Sequence, residues 1–458
     1  MNHQKKHSVL FIAADPPIPF TGGGSRTFHL LKGVAEISDC TAVVLFPVAK
    51  NNLPGTLTNL CRAIYCAITP FSHGVISKWK YFFSHLQLLI YPRSAGIKKL
   101  ISSADYYANH FYEGKSKWKG VFYRLLRRRL ILTGLKLYQD PTMLPARTLE
   151  RYAQYAEMEA LIKAQLVQAD MVWIDFSFLL PFFRALKAEH PSVKKVCNAH
   201  NIEYSYLGRL AELAHDPLQK QWLQCQAKAM KRAELQGFAD CDMVITCSAA
   251  DQQQVLTAMP RARVEVIPNG VDLAYFKPAP VEPTRPVLLF TGTMTYTPNR
   301  DAVHYFLKEI FPLVKKEIPD CCLVVAGLHA AAVFTEYKDR QDMELVDSPA
   351  DMRPVYNRAS VVVVPLRSGS GTRLKILEAM AMGKPVVSTS IGAEGIKVID
   401  RVHLRICDTA IDFNNAITEL LHNRSLYNAI VSKGSEIISN NYSWEIIIAN
   451  LKQHLIDS

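Results

Sequence analysis

The feature that most constrains this chain is a rhythm. Short apolar, β-rich runs alternate with helical stretches along most of its length. Ser8–Ala14, Thr41–Phe46, Met171–Ile174, Lys195–Cys197, Met243–Thr246 and Arg263–Ile267 form one set of such runs. Pro286–Phe290, Cys322–Ala326 and Ser360–Pro365 belong to another, reaching to about residue 405. Runs apolar on both faces and separated by helices predict parallel strands joined by right-handed crossovers. Between the sets lie Asn269-Gly270-Val271-Asp272 and prolines 278, 280, 283 and 286, a spacing that forbids a helix and reads as a linker. The predicted class is therefore α/β, with two doubly wound, Rossmann-like domains. Ligands of such sheets bind at the carboxyl ends of the strands, so a cleft between the domains is the expected site.

The 458 residues leave room for two or three cores, and 49% hydrophobic with 21% charged residues excludes a mainly disordered chain. No run approaches the roughly 20 apolar residues that span a bilayer. Met1–Ser8 is polar and basic and lacks a signal peptide's apolar centre, so the expected location is cytoplasmic. Ten cysteines without a C-x2-C pair or a ligand-spaced histidine cluster predict reduced, mostly buried thiols and no metal site.

The net charge of +12 is not evenly spread. Residues 78–136 carry thirteen Lys and Arg against Asp105 and Glu113, a net +11, together with twelve aromatics. They lie in a stretch, about 53–168, with few convincing strands, which reads as a helical insertion in the first domain. Arg124, Arg127, Arg128 and Arg129, interleaved with leucines, form a candidate patch for an anionic membrane surface, peripheral at the inner leaflet. A solvated basic face is the plainer reading of the same residues. Because the charge is local, it does not favour nucleic acid as a partner.

Three motifs carry chemistry. The glycine-rich loop before Ser370-Gly371-Thr372-Arg373-Leu-Lys375-Ile-Leu-Glu378 follows a buried strand and opens an amphipathic helix. Unpaired N–H groups and the helix dipole there suit a phosphate, Arg373 and Lys375 add charge, and Glu378 is placed to accept the hydroxyls of a ribose. Gly22, Gly23, Gly24 and Arg26, directly after the first strand, form a second backbone-exposing loop, a candidate acceptor or diphosphate loop, that is not a dinucleotide fingerprint. His200 ends a strand-like run in Val196-Cys-Asn-Ala-His200-Asn201, placed to donate to a sugar hydroxyl or an oxyanion.

These residues resemble the retaining glycosyltransferases of family 4. The resemblance rests on Ile267-Pro-Asn-Gly-Val-Asp272, the run from Gly369 to Pro385 and Gly392-Ala-Glu-Gly-Ile396. It implies the GT-B fold: residues 1–275 as acceptor-side domain, 276–440 as nucleotide-sugar domain, and a final helix at 441–458 crossing back to the first. It implies transfer of a sugar from a nucleotide diphosphate sugar to a glycan or lipid-linked acceptor, in surface polysaccharide or glycoconjugate assembly, with no metal and no cofactor. Glu378 resembles the second glutamate of the family's paired-glutamate motif, while Ser370 stands where the first would be. Gly292 is kept in Phe290-Thr-Gly292-Thr, but the family's arginine after it is not, so Arg300, Arg373 and Lys375 are the expected phosphate ligands. A retaining hydrolase would need two carboxyls roughly 5 Å apart, and the sequence offers no such pair. A non-catalytic nucleotide-sugar binder and a GT-B enzyme acting on nucleic acid or epimerising a nucleotide sugar remain as alternatives.

Overall fold

The computed structural model describes residues 7–15, 17–19, 22–45, 54–66, 158–183, 189–214, 216–279, 285–369 and 371–456. The candidate membrane patch Arg124, Arg127, Arg128 and Arg129, and Ser370 of the glycine-rich loop, lie outside them. The described chain divides into two units. The first is residues 1–246 with 251–266, and the second is 247–250 with 267–458.

The first unit is built on a seven-stranded sheet in the order β3-β2-β1-β4-β5-β6-β7. Its strands are β1 (Ser8–Ala13), β2 (Asp39–Val44), β3 (Ala63–Cys66), β4 (Met171–Asp175), β5 (Lys194–Ala199), β6 (Met243–Thr246) and β7 (Val264–Val266). Every pairing is parallel. The second unit holds β8 (Val287–Thr291), β9 (Cys322–Gly327), β10 (Met343–Asp347), β11 (Val361–Val364), β12 (Val386–Ser388) and β13 (Arg405–Ile406). Their order is β10-β9-β8-β11-β12-β13, again all parallel. The order reverses between β1 and β4 in one sheet and between β8 and β11 in the other, so each sheet has one switch point.

The physical reason is burial on both faces. Leu10, Phe11, Ile12 and Ala13 of β1 are buried, as are all four valines of β11. Each sheet carries its own apolar core, one around Ile12, Ile174 and Phe238, the other around Leu289, Val325 and Phe413. Strand β3 pairs with β2 inside the 53–168 stretch expected as a helical insertion, so the sheet takes up residues 63–66 of it. The ten cysteines are free thiols and seven are buried.

The linker read from Asn269 onward is anchored in the second unit. Val271 N–H donates to the Tyr442 carbonyl (2.8 Å), and Trp444 N–H donates to the Val271 carbonyl (3.3 Å). A Cβ on Gly270 would lie 2.7 Å from Trp444 Cδ2, so glycine lets the final helix, Trp444–Ile456, pack there.

Where β8 and β9 end, the backbone is tighter still. Gly327 ends β9 at φ +135°, and a Cβ on it would meet the Gly292 carbonyl oxygen at 2.1 Å. Neither the dihedral nor the space admits a side chain. Gly327→Ala is expected to cost about 3 kcal/mol or more. The check is a denaturant titration of the second unit's transition, and a midpoint equal to the parent's would contradict the packing described.

Candidate functional site

In the first unit the site forms where β1, β4 and β5 end. Asp175 is the last residue of β4, and its carboxylate has no exposure. It accepts hydrogen bonds from Thr27 Oγ1 (2.6 Å), Asn198 Nδ2 (2.5 Å) and His200 Nε2, the last at 3.1 Å from both oxygens. Burial alone would raise this carboxyl, but the charge of His200 and the bonds from His200, Thr27 and Asn198 outweigh it and hold the pKa below the ordinary value. An ionised carboxylate only accepts, so Nε2 of His200 carries a hydrogen in this pair. The Nδ1 edge lies toward the glycine loop: a Cβ on Gly23 would be 3.7 Å from it and 3.5 Å from Asp15 Oδ2.

The glycine loop itself becomes the first turn of the helix Gly22–Ile37, with Gly22, Gly23 and Gly24 its opening residues. Arg26, read as part of an acceptor or diphosphate loop, is buried. Its guanidinium forks onto Asn198 Oδ1 through Nε (3.2 Å) and Nη2 (2.7 Å), so it braces the amide that serves Asp175. His200 also stacks on Phe176, ring centroids 3.7 Å apart and planes within 16°.

The second unit brings together a different set at the ends of β8 and β11. Lys375, in the first turn of the helix Leu374–Ala381, donates to Asn299 Oδ1 (2.8 Å) and sits 4.1 Å from the centroid of the Phe290 ring. Asn299 Nδ2 in turn donates to the Thr293 carbonyl (3.0 Å). A Cβ on Gly292 would stand 2.6 Å from that amide and 3.1 Å from Lys375 Nζ, so glycine at φ +153° leaves the ammonium against bare backbone. Burial, with the nearby Arg373 charge adding and Glu378 opposing, pushes the Lys375 pKa from 10.5 down to about 7.

One turn further on, Glu378 Oε2 accepts from the Tyr356 hydroxyl (2.7 Å), which also pairs with Thr291 Oγ1 (3.1 Å). Burial raises the Glu378 pKa against that bond and the Lys375 charge, and pushes the Tyr356 hydroxyl well above its usual value.

The remaining expected donor residues separate. Arg373 donates to the carbonyl of Gly371 in its own loop and lies over Gly369, where a Cβ would meet its Nη2 at 2.9 Å. Thr372 is buried, its hydroxyl donating to the Cys247 carbonyl (3.2 Å) and its own carbonyl accepting from Asn269 Nδ2 (3.3 Å). Arg300 is exposed on the helix Thr297–Tyr305.

Asp175, Asn198, Phe176, Asn299 and Tyr356 are the residues that motif reading passed over. Asp175 had a usable signal, a carboxylate directly after a four-residue apolar run. Tyr356 had none, because it reaches Glu378 across 22 positions of chain. Among the described residues no cluster of His, Cys, Asp and Glu has the geometry of a metal site, and no helix is long and apolar enough to cross a membrane.

Comparison with known proteins agrees with this layout. Residues 285–423 match the family described as Glycosyl transferases group 1, and residues 117–275 match Glycosyltransferase Family 4. A Klebsiella pneumoniae protein named as an uncharacterized 44.6 kDa protein in the cps region is 28% identical over 172 residues, covering 36% of this chain and 44% of that protein. The matched region is thus less than half of that relative's length. Sucrose-phosphate synthase from Thermosynechococcus elongatus has the same fold, with a TM-score of 0.66, 15% identity and 99% of both chains covered. HepE from Anabaena, solved with UDP and glucose, gives a TM-score of 0.61 at 13% identity over 99% of this chain and 100% of that one. The family matches along both halves of the chain and the shared two-sheet architecture make one statement: the chain belongs to the group 1 glycosyltransferases, of the family 4 type, with a two-domain GT-B fold.

Proposed function

We propose that the protein is a retaining glycosyltransferase that takes a sugar from a nucleoside diphosphate sugar. The observation that carries the proposal is the cluster at the second switch point: Lys375 beside the bare backbone of Gly292, with Glu378 one turn further on. The ammonium and the start of the helix Leu374–Ala381 are suited to a diphosphate, and Glu378 Oε1 to a ribose hydroxyl. HepE, which shares the fold, was solved with UDP and glucose, which favours a nucleoside diphosphate as the ligand class.

In the proposed reaction the bond from the anomeric carbon to the β-phosphate oxygen breaks, and a bond to an acceptor hydroxyl forms on the same face. The hydroxyl proton passes to the departing phosphate. Stabilising that phosphate is the main demand on the protein, and one close cation plus a helix dipole supply several kcal/mol toward it. No strong base and no metal are invoked. His200 takes the acceptor-side role: Asp175 holds its Nε2 edge, and the ring, beside Gly23, orients an acceptor hydroxyl. The acceptor class we favour is a glycan or lipid-linked sugar of surface polysaccharide assembly. The Klebsiella relative's place in a cps region supports it.

The first test is a thermal-shift panel of UDP, GDP, ADP and TDP sugars, followed by turnover and product analysis on the best binder. His200→Ala is expected to lower kcat by about 10²-fold with donor KM little changed. Parent-level turnover in that variant would remove His200 from the mechanism.

A second test uses the Lys375 pKa. At pH 8 a lysine with a pKa near 7 is mostly neutral in the free protein, whereas a bound diphosphate favours its charged form, so binding takes up a proton. Calorimetry of UDP and GDP binding in Tris and in HEPES should show proton uptake at pH 8 that fades by pH 6, where the free lysine is already charged. Lys375→Met should abolish the buffer difference, and a difference that survives in that variant would assign the proton elsewhere.

A further inference from the structure

Phe176 is strained. Its φ is +92° with ψ 127°, a conformation that an L-residue with a large side chain rarely holds unless its surroundings enforce it. The result of the strain is the stacking of its ring on His200 at 3.7 Å. Two restraints keep the turn in place. Phe176 N–H donates to the Asn198 carbonyl (2.9 Å), and the next residue, Ser177, donates through Oγ to Glu234 Oε1 (2.5 Å).

Glu234 comes from the long helix Pro217–Ala239 and has no exposure. Besides Ser177, it accepts from the backbone N–H groups of Glu203 (3.0 Å, to Oε1) and Tyr204 (2.9 Å, to Oε2). Those are the first residues of the helix Glu203–Leu213, whose own N-cap, Ile202, has no side chain to offer. One carboxyl therefore grips the chain on both sides of the imidazole, at 177 and at 203–204. The long helix is pressed close enough to do so because Gly237, three residues on, has no Cβ; one would fall 2.5 Å from Leu180 Cβ. Keeping a carboxyl here is costly. Burial, together with the Glu203 charge, pushes its pKa to about 8 despite the three donors. A mere helix cap needs only a Ser or Asp at the N-cap, the position held here by the buried Ile202, and not a carboxyl brought from another helix.

We propose that Glu234 is a positioning residue for His200, anchoring Ser177 and the start of the following helix so that Phe176 stays stacked on the ring and Nε2 stays on Asp175. The proposal deepens the reading of His200 given above and rests on it for its functional meaning.

The test reads the ring itself, on the full chain labelled with 15N-histidine, with the His200 signals assigned by their loss in His200→Ala. The parent should show the Nε2-protonated tautomer and ring protons shielded by the stacked Phe176. Ser177→Ala, which leaves both backbone bonds to Glu234 intact, should shift the His200 ring protons downfield and mix the tautomers. Phe176→Leu should give the same downfield shift, and Ser177→Thr, which keeps the hydroxyl, should restore the parent signals. Glu234→Gln should move His200 further than Ser177→Ala does. His200 signals that superimpose on the parent's in both Ser177→Ala and Glu234→Gln overturn the proposal. So does a shift shared equally by His29 and His190, which would mark general loosening. Turnover unaffected by His200→Ala is a separate result: it removes the functional reading, whatever the ring signals do.

Discussion

Strand order is the constraint on which the rest of the structure depends. In a parallel sheet with right-handed crossovers, order can reverse only once without crossing connections, and at that point the loops leaving two neighbouring strands turn to opposite faces. The first sheet reverses at β1/β4 and the second at β8/β11. Polar groups placed there sit at the edge of a core buried on both faces, so each needs a hydrogen-bonding partner. The first unit meets this demand with a carboxylate, Asp175, ringed by Thr27, Asn198 and His200. The second meets it with an ammonium, Lys375, set against an amide oxygen and a Phe290 ring.

The opposite signs of these charges have consequences. A buried carboxylate held by three donors stays ionised and fixes the imidazole beside it, so the first unit presents a histidine with a set tautomer. A lysine desolvated beside bare glycine backbone has its pKa lowered by burial, with the Arg373 charge adding and Glu378 opposing. The glycines keep the backbone bare at these points. Gly23, Gly292 and Gly327 each stand where a Cβ would touch a functional side chain or a neighbouring carbonyl.

Much of the architecture was legible because strands buried on both faces must be uniformly apolar. The nine runs read from the sequence are all strands. The four that escaped, β3, β10, β12 and β13, are short or lie at sheet edges. β3 is only half-buried, Met343–Asp347 carries two carboxylates, and β13 is two residues long. Edge strands shed one wall of the core and with it the apolar pattern. At the candidate sites, His200, Gly23, Gly292, Lys375 and Glu378 stand out from local spacing, each following a strand or opening a helix. The partners of Arg26 and Thr372 could not be read the same way: both adjoin a glycine loop, and the fold sets them on Asn198 and Cys247.

The sequence by itself therefore determined two α/β units, their glycine loops and the residue types available at each, because periodicity and backbone freedom are local properties. Only the tertiary structure decided which of those residues work together. Asp175 reaches His200 across 25 positions, Asn299 reaches Lys375 across 76, and Glu234 reaches Ser177 across 57. Such pairings are made when buried strand ends and helix starts converge, and desolvation at that point forces each polar atom to take whichever partner the fold brings within reach.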